Sequence, residues 1–186
     1  MRHIKYILLL LILSFTSTIV HSQQLAIKTN GLMLLALTPN VEFEMVTGEH
    51  SSINLGAFGH YKPYGIESKM MGLQAEYRYW FNGRPMTREY IGVGALGTSY
   101  RMKMGDYIYD GDALGLGLTA GYTIMLGKKL NLEFYGGFGF LTFKQKYYYK
   151  DDTYEDYFHD DRVTTNSKGL KLFPTKLGVS ISYIIH

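Results

Sequence analysis

Leu114-Gly115-Leu116-Gly117-Leu118-Thr119-Ala120-Gly121-Tyr122-Thr123-Ile124-Met125-Leu126 is the stretch whose reading decides the fold. In an extended chain Leu114, Leu116, Leu118, Ala120, Tyr122, Ile124 and Leu126 share one face, and Gly115, Gly117, Thr119, Gly121, Thr123 and Met125 share the other. The alternation has no phase shift. It exceeds the ~5–6 residues of a typical soluble strand and reaches the ~9–11 residues of a tilted membrane strand. A helix fits poorly, because Gly and β-branched residues recur throughout.

Working outward, the same period returns. Leu177, Val179, Ile181, Tyr183 and Ile185 alternate with Lys176, Gly178, Ser180, Ser182 and Ile184. Leu73, Ala75, Tyr77, Tyr79 and Phe81 alternate with Gln74, Glu76, Arg78 and Trp80. Shorter runs surround Phe43, Leu55 and Leu132, whereas 91–100 carries Gly on both faces and 25–37 is apolar on both faces after Gly31. Eight strands are predicted, over about 25–37, 40–47, 52–61, 70–81, 88–101, 113–126, 130–147 and 170–185. Short turns at 47–51, 82–85 and 127–129 face longer loops at 62–69, 102–112 and 148–168, with a brief Thr38-Pro39-Asn40 turn as the exception. Even strand number and loop asymmetry predict a closed eight-stranded antiparallel transmembrane barrel of outer-membrane type. The plain alternative is a soluble eight-stranded β-domain with its apolar face inward. There the Gly- and Thr-rich face would make a poor solvent surface, and open edges would be a hazard.

A chain of 186 residues suits one domain. Residues 1–22 read as a signal peptide, with Arg2 and Lys5 before the apolar 7–15 run and Ser22 at the cleavage edge, which leaves 23–186 as the barrel. The apolar run falls short of a spanning helix. The expected localisation is the cell outer membrane and the expected surroundings are outer-membrane lipid. The chain has no Cys, so a disulfide framework and a thiol nucleophile are excluded. A formal charge of +3 is too small to argue for nucleic acid.

On this register Lys28, Glu42, Glu44, Glu76, Arg78, Glu133 and Lys176 all point into the lumen. Charges in so narrow a space have to be paired. At eight strands side chains can fill the interior, so a plug is expected, with a narrow solute or ion pathway as the alternative. Gly115, Gly117 and Gly121 leave room for larger neighbours; Gly115-Leu116-Gly117 lacks the strand–helix context of a dinucleotide fingerprint. Tyr77, Tyr79, Phe81 and Tyr183 suit an interfacial girdle.

The acidic loop from Lys150 to Arg162 is the candidate partner-binding segment, through Asp151, Asp152, Tyr154, Glu155, Asp156, Tyr157, Phe158, Asp160 and Asp161. Alternating acids and aromatics suit a protein interface, and the spacing is not that of a calcium-binding EF-hand loop. No metal site, cofactor site or catalytic set is evident. A lipid-modifying enzyme of the outer leaflet would need His60 to meet a Ser and an acid, with Ser99 and Glu67 as possible neighbours.

Lys28-Thr29-Asn30, Thr38-Pro39-Asn40, Glu76-Tyr77-Arg78-Tyr79-Trp80-Phe81, Gly121-Tyr122, Leu126-Gly127-Lys128 and Pro174-Thr175-Lys176 carry a resemblance over nearly all of 23–186. With these the chain resembles a family of small outer-membrane barrels in Bacteroidetes, a domain of unknown function. Some members accompany fimbrial genes. The resemblance implies a structural, surface-anchoring or surface-assembly role with a surface or fimbrial protein as partner. It carries over no catalytic residue. The chain departs from some relatives in lacking a Cys-bearing late loop.

Overall fold

A computed structural model describes residues 24–151 and 165–185. The expected signal segment and the loop residues Asp152, Tyr154, Glu155, Asp156, Tyr157, Phe158, Asp160 and Asp161 lie outside them; Asp151 is described, in a turn. The strands are β1 (Leu25–Asn30), β2 (Asn40–Gly48), β3 (Ser51–Tyr61), β4 (Ser68–Trp80), β5 (Arg88–Met104), β6 (Tyr107–Met125), β7 (Leu130–Tyr149) and β8 (Ser167–Ile184), with a short helix α1 (Gly31–Leu35) after β1. Each strand pairs antiparallel with its sequence neighbours, and β1 also pairs with β8, so the order returns on itself as a ring of eight.

The eight strands do close on themselves; three features correct the expected transmembrane, outer-membrane-type architecture. First, β1 has 6 residues, too few for the ~9–11 that a crossing strand needs. Strand β1 is therefore not the long strand that the reading of 25–37 expects. Second, the β1–β8 seam is a ladder only from Ala26↔Ile184 to Asn30↔Ser180. Above it the chain turns into α1, and among the described residues β8 has no ladder partner on that side. The strands rise in length from β1 to β7, so the ring is sealed at one end and uneven at the other.

Third, the loop asymmetry does not hold. The expected 102–112 loop is a continuation of β5 and β6 around a two-residue turn, Gly105-Asp106. Gly105 supplies the positive φ of 64°, and Asp106 is tied to Lys150 by a 2.8 Å hydrogen bond that holds its carboxyl below the usual range. The 82–85 turn at the opposite rim is a longer segment, 81–87, that folds back into the ring and buries Pro85, Met86 and Thr87.

Helix α1 has a local cause. The strand period fails after Gly31, and Leu32-Met33-Leu34-Leu35 are good helix formers. The Asn30 side chain caps the helix by accepting from the Leu32 and Met33 amides at 2.9 and 3.3 Å. Its amide group donates to the Leu177 carbonyl at 3.0 Å, which ties the helix start to β8 where the ladder stops. A bulge at Pro174-Thr175 offsets β8 against β7. Pro174 has no N–H to lend to a ladder and sits where none is needed.

Side chains follow the strand period with an inversion. In the lower wall the apolar residues point out. Leu114, Leu116, Leu118, Leu73 and Leu172 are each 66–70% exposed, and the outward run Leu114–Ile124 on β6 makes a belt about 25 Å tall at the usual rise and tilt. In the upper wall the outward positions are Lys69, Arg101, Lys103, Asp110, Asp112, Lys144 and Lys168, while Met70, Met102, Tyr109, Leu141 and Phe143 turn inward. The lower interior is polar and charged.

Glycine spacing is a steric condition of this wall. A β-carbon on Gly139 would run into the Leu116 carbonyl and the Gly117 backbone, which cannot swing aside, whereas one on Gly136 would meet only Leu177 Cδ1 at 3.8 Å. Gly139→Val should therefore lower stability by about 2–3 kcal/mol, and Gly136→Ala should stay within about 0.5 kcal/mol of the parent. Urea unfolding compares them; equal midpoints for the two variants would show that β6 and β7 are not in this register.

Candidate functional site

The lower interior holds one connected ionic cluster. Arg78, from β4, stands at its centre and is fully buried. Its Nε donates to Glu76 at 2.8 Å, and its Nη1 bridges Glu44 at 2.9 Å and Glu133 at 3.0 Å. Lys28, from β1, reaches Glu44 and Glu133 as well. Lys176, just past the β8 bulge, bridges Glu42 at 3.2 Å and Glu76 at 2.9 Å. All seven inward charges read from the sequence are thus brought together, from β1, β2, β4, β7 and β8. None exceeds 8% exposure.

Four carboxylates meet three cations; neutral donors reach three of the carboxylates, while Glu76 Oε1 and Arg78 Nη2 have no hydrogen-bond partner among the described residues. Ser52 donates to Glu44 and Asn54 to Glu42. Tyr90 donates to Glu133 at 2.6 Å. The Tyr90 ring also lies 4.5 Å from the Arg78 guanidinium and 4.7 Å from Trp80, whose indole donates to Ser52 at 2.8 Å. Beneath them Met86, from the folded-in segment 81–87, accepts at its carbonyl from Asn131 at 2.9 Å. Small residues make the space: a β-carbon on Gly121 would overlap the Tyr90 ring, and one on Gly178 would overlap the Tyr135 hydroxyl.

Tyr90, Ser52, Asn54 and Asn131 were not singled out from the sequence. Ser52 and Asn54 share the inward parity of β3 and were open to that inference. Tyr90 was hidden because glycine on both faces of 91–100 obscures the period of β5. Of the candidate interface loop 150–162, only Lys150 and Asp151 are among the described residues; the surface-anchoring and surface-assembly role read from eight long crossing strands fails with the short β1 and the uneven ring. The ion-pathway alternative fares no better, since Arg78, Trp80, Tyr90 and Met86 fill the lower lumen at 2% exposure or less.

A second polar group lies on the upper rim. His60 Nδ1 is 3.1 Å from the Thr38 hydroxyl and His60 Nε2 is 3.0 Å from the Ser68 hydroxyl. Ser99 is not part of it, and Glu67 pairs with Lys103 at 3.0 Å, a contact that holds its carboxyl below the usual range. A Ser–His pair oriented by a hydroxyl lacks the carboxylate that stabilises an imidazolium, and the Ser68 amide is already spent on the Ile66 carbonyl. Its evident work is structural: it ties the α1–β2 connection to the β3–β4 corner. Among the described residues no group of three His, Asp or Glu side chains could hold a metal ion, and no helix is long and apolar enough to cross a membrane, which says nothing of strands.

Arg78→Met would leave Glu44, Glu76 and Glu133 short of a partner in a dry site, at a cost of about 3–5 kcal/mol. Arg78→Lys should recover only part of it, because one ammonium cannot reproduce a planar fork that spans three carboxylates. Guanidinium unfolding of the three proteins measures this, and parental stability in Arg78→Met would refute the cluster.

Comparison with known proteins adds one finding. The family model described as "Protein of unknown function (DUF3575)" matches residues 6–185. No curated protein and no solved structure matches the chain.

Proposed function

For this chain, which belongs to the DUF3575 family, we propose a lipid-seated protein of the cell outer membrane whose charged interior blocks passage instead of conducting. The observation that carries the reading is the pairing of an outward apolar belt with an inward ionic cluster. Leu114, Leu116, Leu118 and Leu177 are each about two-thirds exposed on the outer face, beside Leu73, Val93, Phe138 and Phe140, and soluble monomers rarely expose so many large apolar side chains together. Arg78 and Glu133 are fully buried on the inner one. Such a wall is stable where its outside meets hydrocarbon.

The lower edge of the belt fits a lipid–water boundary. Tyr77, Tyr79, Phe81 and Tyr183 stand outward there at 44–56% exposure, and Lys129 lies over the Tyr183 ring at 5.9 Å. The upper edge is the line at which Asp112, Lys144 and Arg101 take over the outward positions. A short β1 does not oppose a seat in lipid, because Asn30 and α1 cover the wall where the strand stops, and α1 turns Leu32, Leu34 and Leu35 outward. A Bacteroidetes origin and a surface or fimbrial partner, implied by the resemblance alone, belong to this proposal and not to its support.

The absence of Cys makes the test direct. Leu118→Cys and Lys128→Cys, each labelled with a polarity-sensitive fluorophore, are compared in phosphatidylcholine vesicles. The label at 118 should shift to the blue and be quenched by brominated acyl chains; the label at 128 should not. Two water-like labels, with the protein free of the vesicles, would refute the lipid seat. In planar bilayers the protein should add no steady conductance, and sustained nanosiemens channels would overturn the blocked interior.

A further inference from the structure

Above the ionic cluster the ring contains a cup of about 550 Å³, within the ~300–1,000 Å³ of small-molecule sites. Its wall includes the inverted part of the sheet. Met70, Leu96, Leu141 and Phe143 point inward, Met33 comes from α1, and Phe58 crosses over Gly72, where a β-carbon would overlap its ring. Tyr135, Gln74 and Lys176 form the floor. Outside the lower part of the cup the wall is still apolar, with Leu114, Phe140 and Leu170 facing out; only outside its upper part do Arg101, Asp110, Asp112 and Lys144 face out. Within the cup Phe173 is 50% and Met104 62% exposed, apolar surface that a bound hydrocarbon chain would cover.

One cation in the cup has no acidic partner among the described residues. Lys176 is taken up by Glu42 and Glu76. Lys171, five residues earlier on β8, also lines the cup; its ammonium lies 5.3 Å from the Phe143 ring centroid, and among the described residues no carboxylate lies within salt-bridge distance of it. A positive charge beside an apolar cavity calls for a ligand with an anionic end and a hydrocarbon body.

We propose that the cup binds one single-chain carboxylate amphiphile of the fatty-acid class. Its chain lies among Met33, Phe58, Met70, Leu96, Leu141 and Phe143, and its carboxylate pairs with Lys171. The cavity is too small for a two-chain phospholipid. Binding here goes beyond the lipid seat, because the belt solvates in bulk lipid whereas the cup takes one molecule with a defined head.

The test uses the full chain in phosphatidylcholine vesicles with a palmitic acid probe carrying a diazirine near its methyl end, cross-linked and mapped by mass spectrometry. Saturable labelling of Met70, Leu96 or Leu141, displaced by unlabelled palmitic acid, is the expected result. Lys171→Gln should weaken displacement by the acid about tenfold and leave displacement by the matching fatty alcohol unchanged, a pattern that mere loss of fold would not give. Leu96→Trp, and independently Met70→Trp, should abolish cup labelling while labelling of Leu118 on the belt persists. The proposal is overturned if label appears only on the belt, if Lys171→Gln affects acid and alcohol alike, or if phosphatidylglycerol displaces the probe as well as palmitic acid does. If the chain does not enter vesicles, the same labelling in detergent-free solution still reads the cup, so the two readings fail separately.

Discussion

The fork of Arg78 is the contact on which the rest of the molecule depends. Two nitrogens of one guanidinium reach carboxylates from β2, β4 and β7, so a single side chain spans the ring. An isolated charge at such a depth would cost several kcal/mol, and the arrangement persists because every acid it meets is also held by a second donor. Lys28 and Lys176 extend the same logic to β1 and β8, the two ends of the chain. The ring is consequently held by its middle as much as by its ladders, which matters most at the seam, where the ladder is shortest.

The inward charges were legible in the sequence because the strand period is unforgiving. Glu42 and Glu44, or Glu76 and Arg78, two apart, must share a face, and a neighbouring Phe43 or Tyr77 says which face that is. Other parts were hidden for equally physical reasons. The run Gly31–Leu35 is apolar all round, so the strand reading continued through it, and only the capping bond of Asn30 reveals a helix. The turn at Gly105-Asp106 is concealed by the inversion of polarity: the strand reading stops at Arg101 and Lys103 reads as loop, although both alternate with Met102 and Met104 as strictly as any strand residue does. With a two-residue hairpin there, and a longer folded-in segment where 82–85 reads as a tight turn, loop lengths do not support an outer-membrane architecture.

The wall therefore changes regime along one sheet. Below, hydrocarbon faces out and charge faces in; at mid-height, around Leu96 and Leu141, both faces are apolar; at the top, charge faces out and Met102 and Tyr109 face in. Strand geometry permits the change with no break, since the pleat fixes only the alternation and not which chemistry occupies each side. The bulge at Pro174-Thr175 lies in this transition, between Lys176 of the cluster and Phe173 and Lys171 of the cup.

The narrow seam has a consequence for how the chain reaches this state. β1 is the first strand and β8 the last, so their ladder cannot form before almost the whole polypeptide is available, and the contacts of Lys28 with Glu133 and of Lys176 with Glu42 span 105 and 134 residues. Every partial sheet lacks a cation or an acid that the complete one supplies. Long sequence separation slows folding, and here it also withholds charge compensation until the ends meet, which makes the last step of assembly the one that renders all the earlier ones stable.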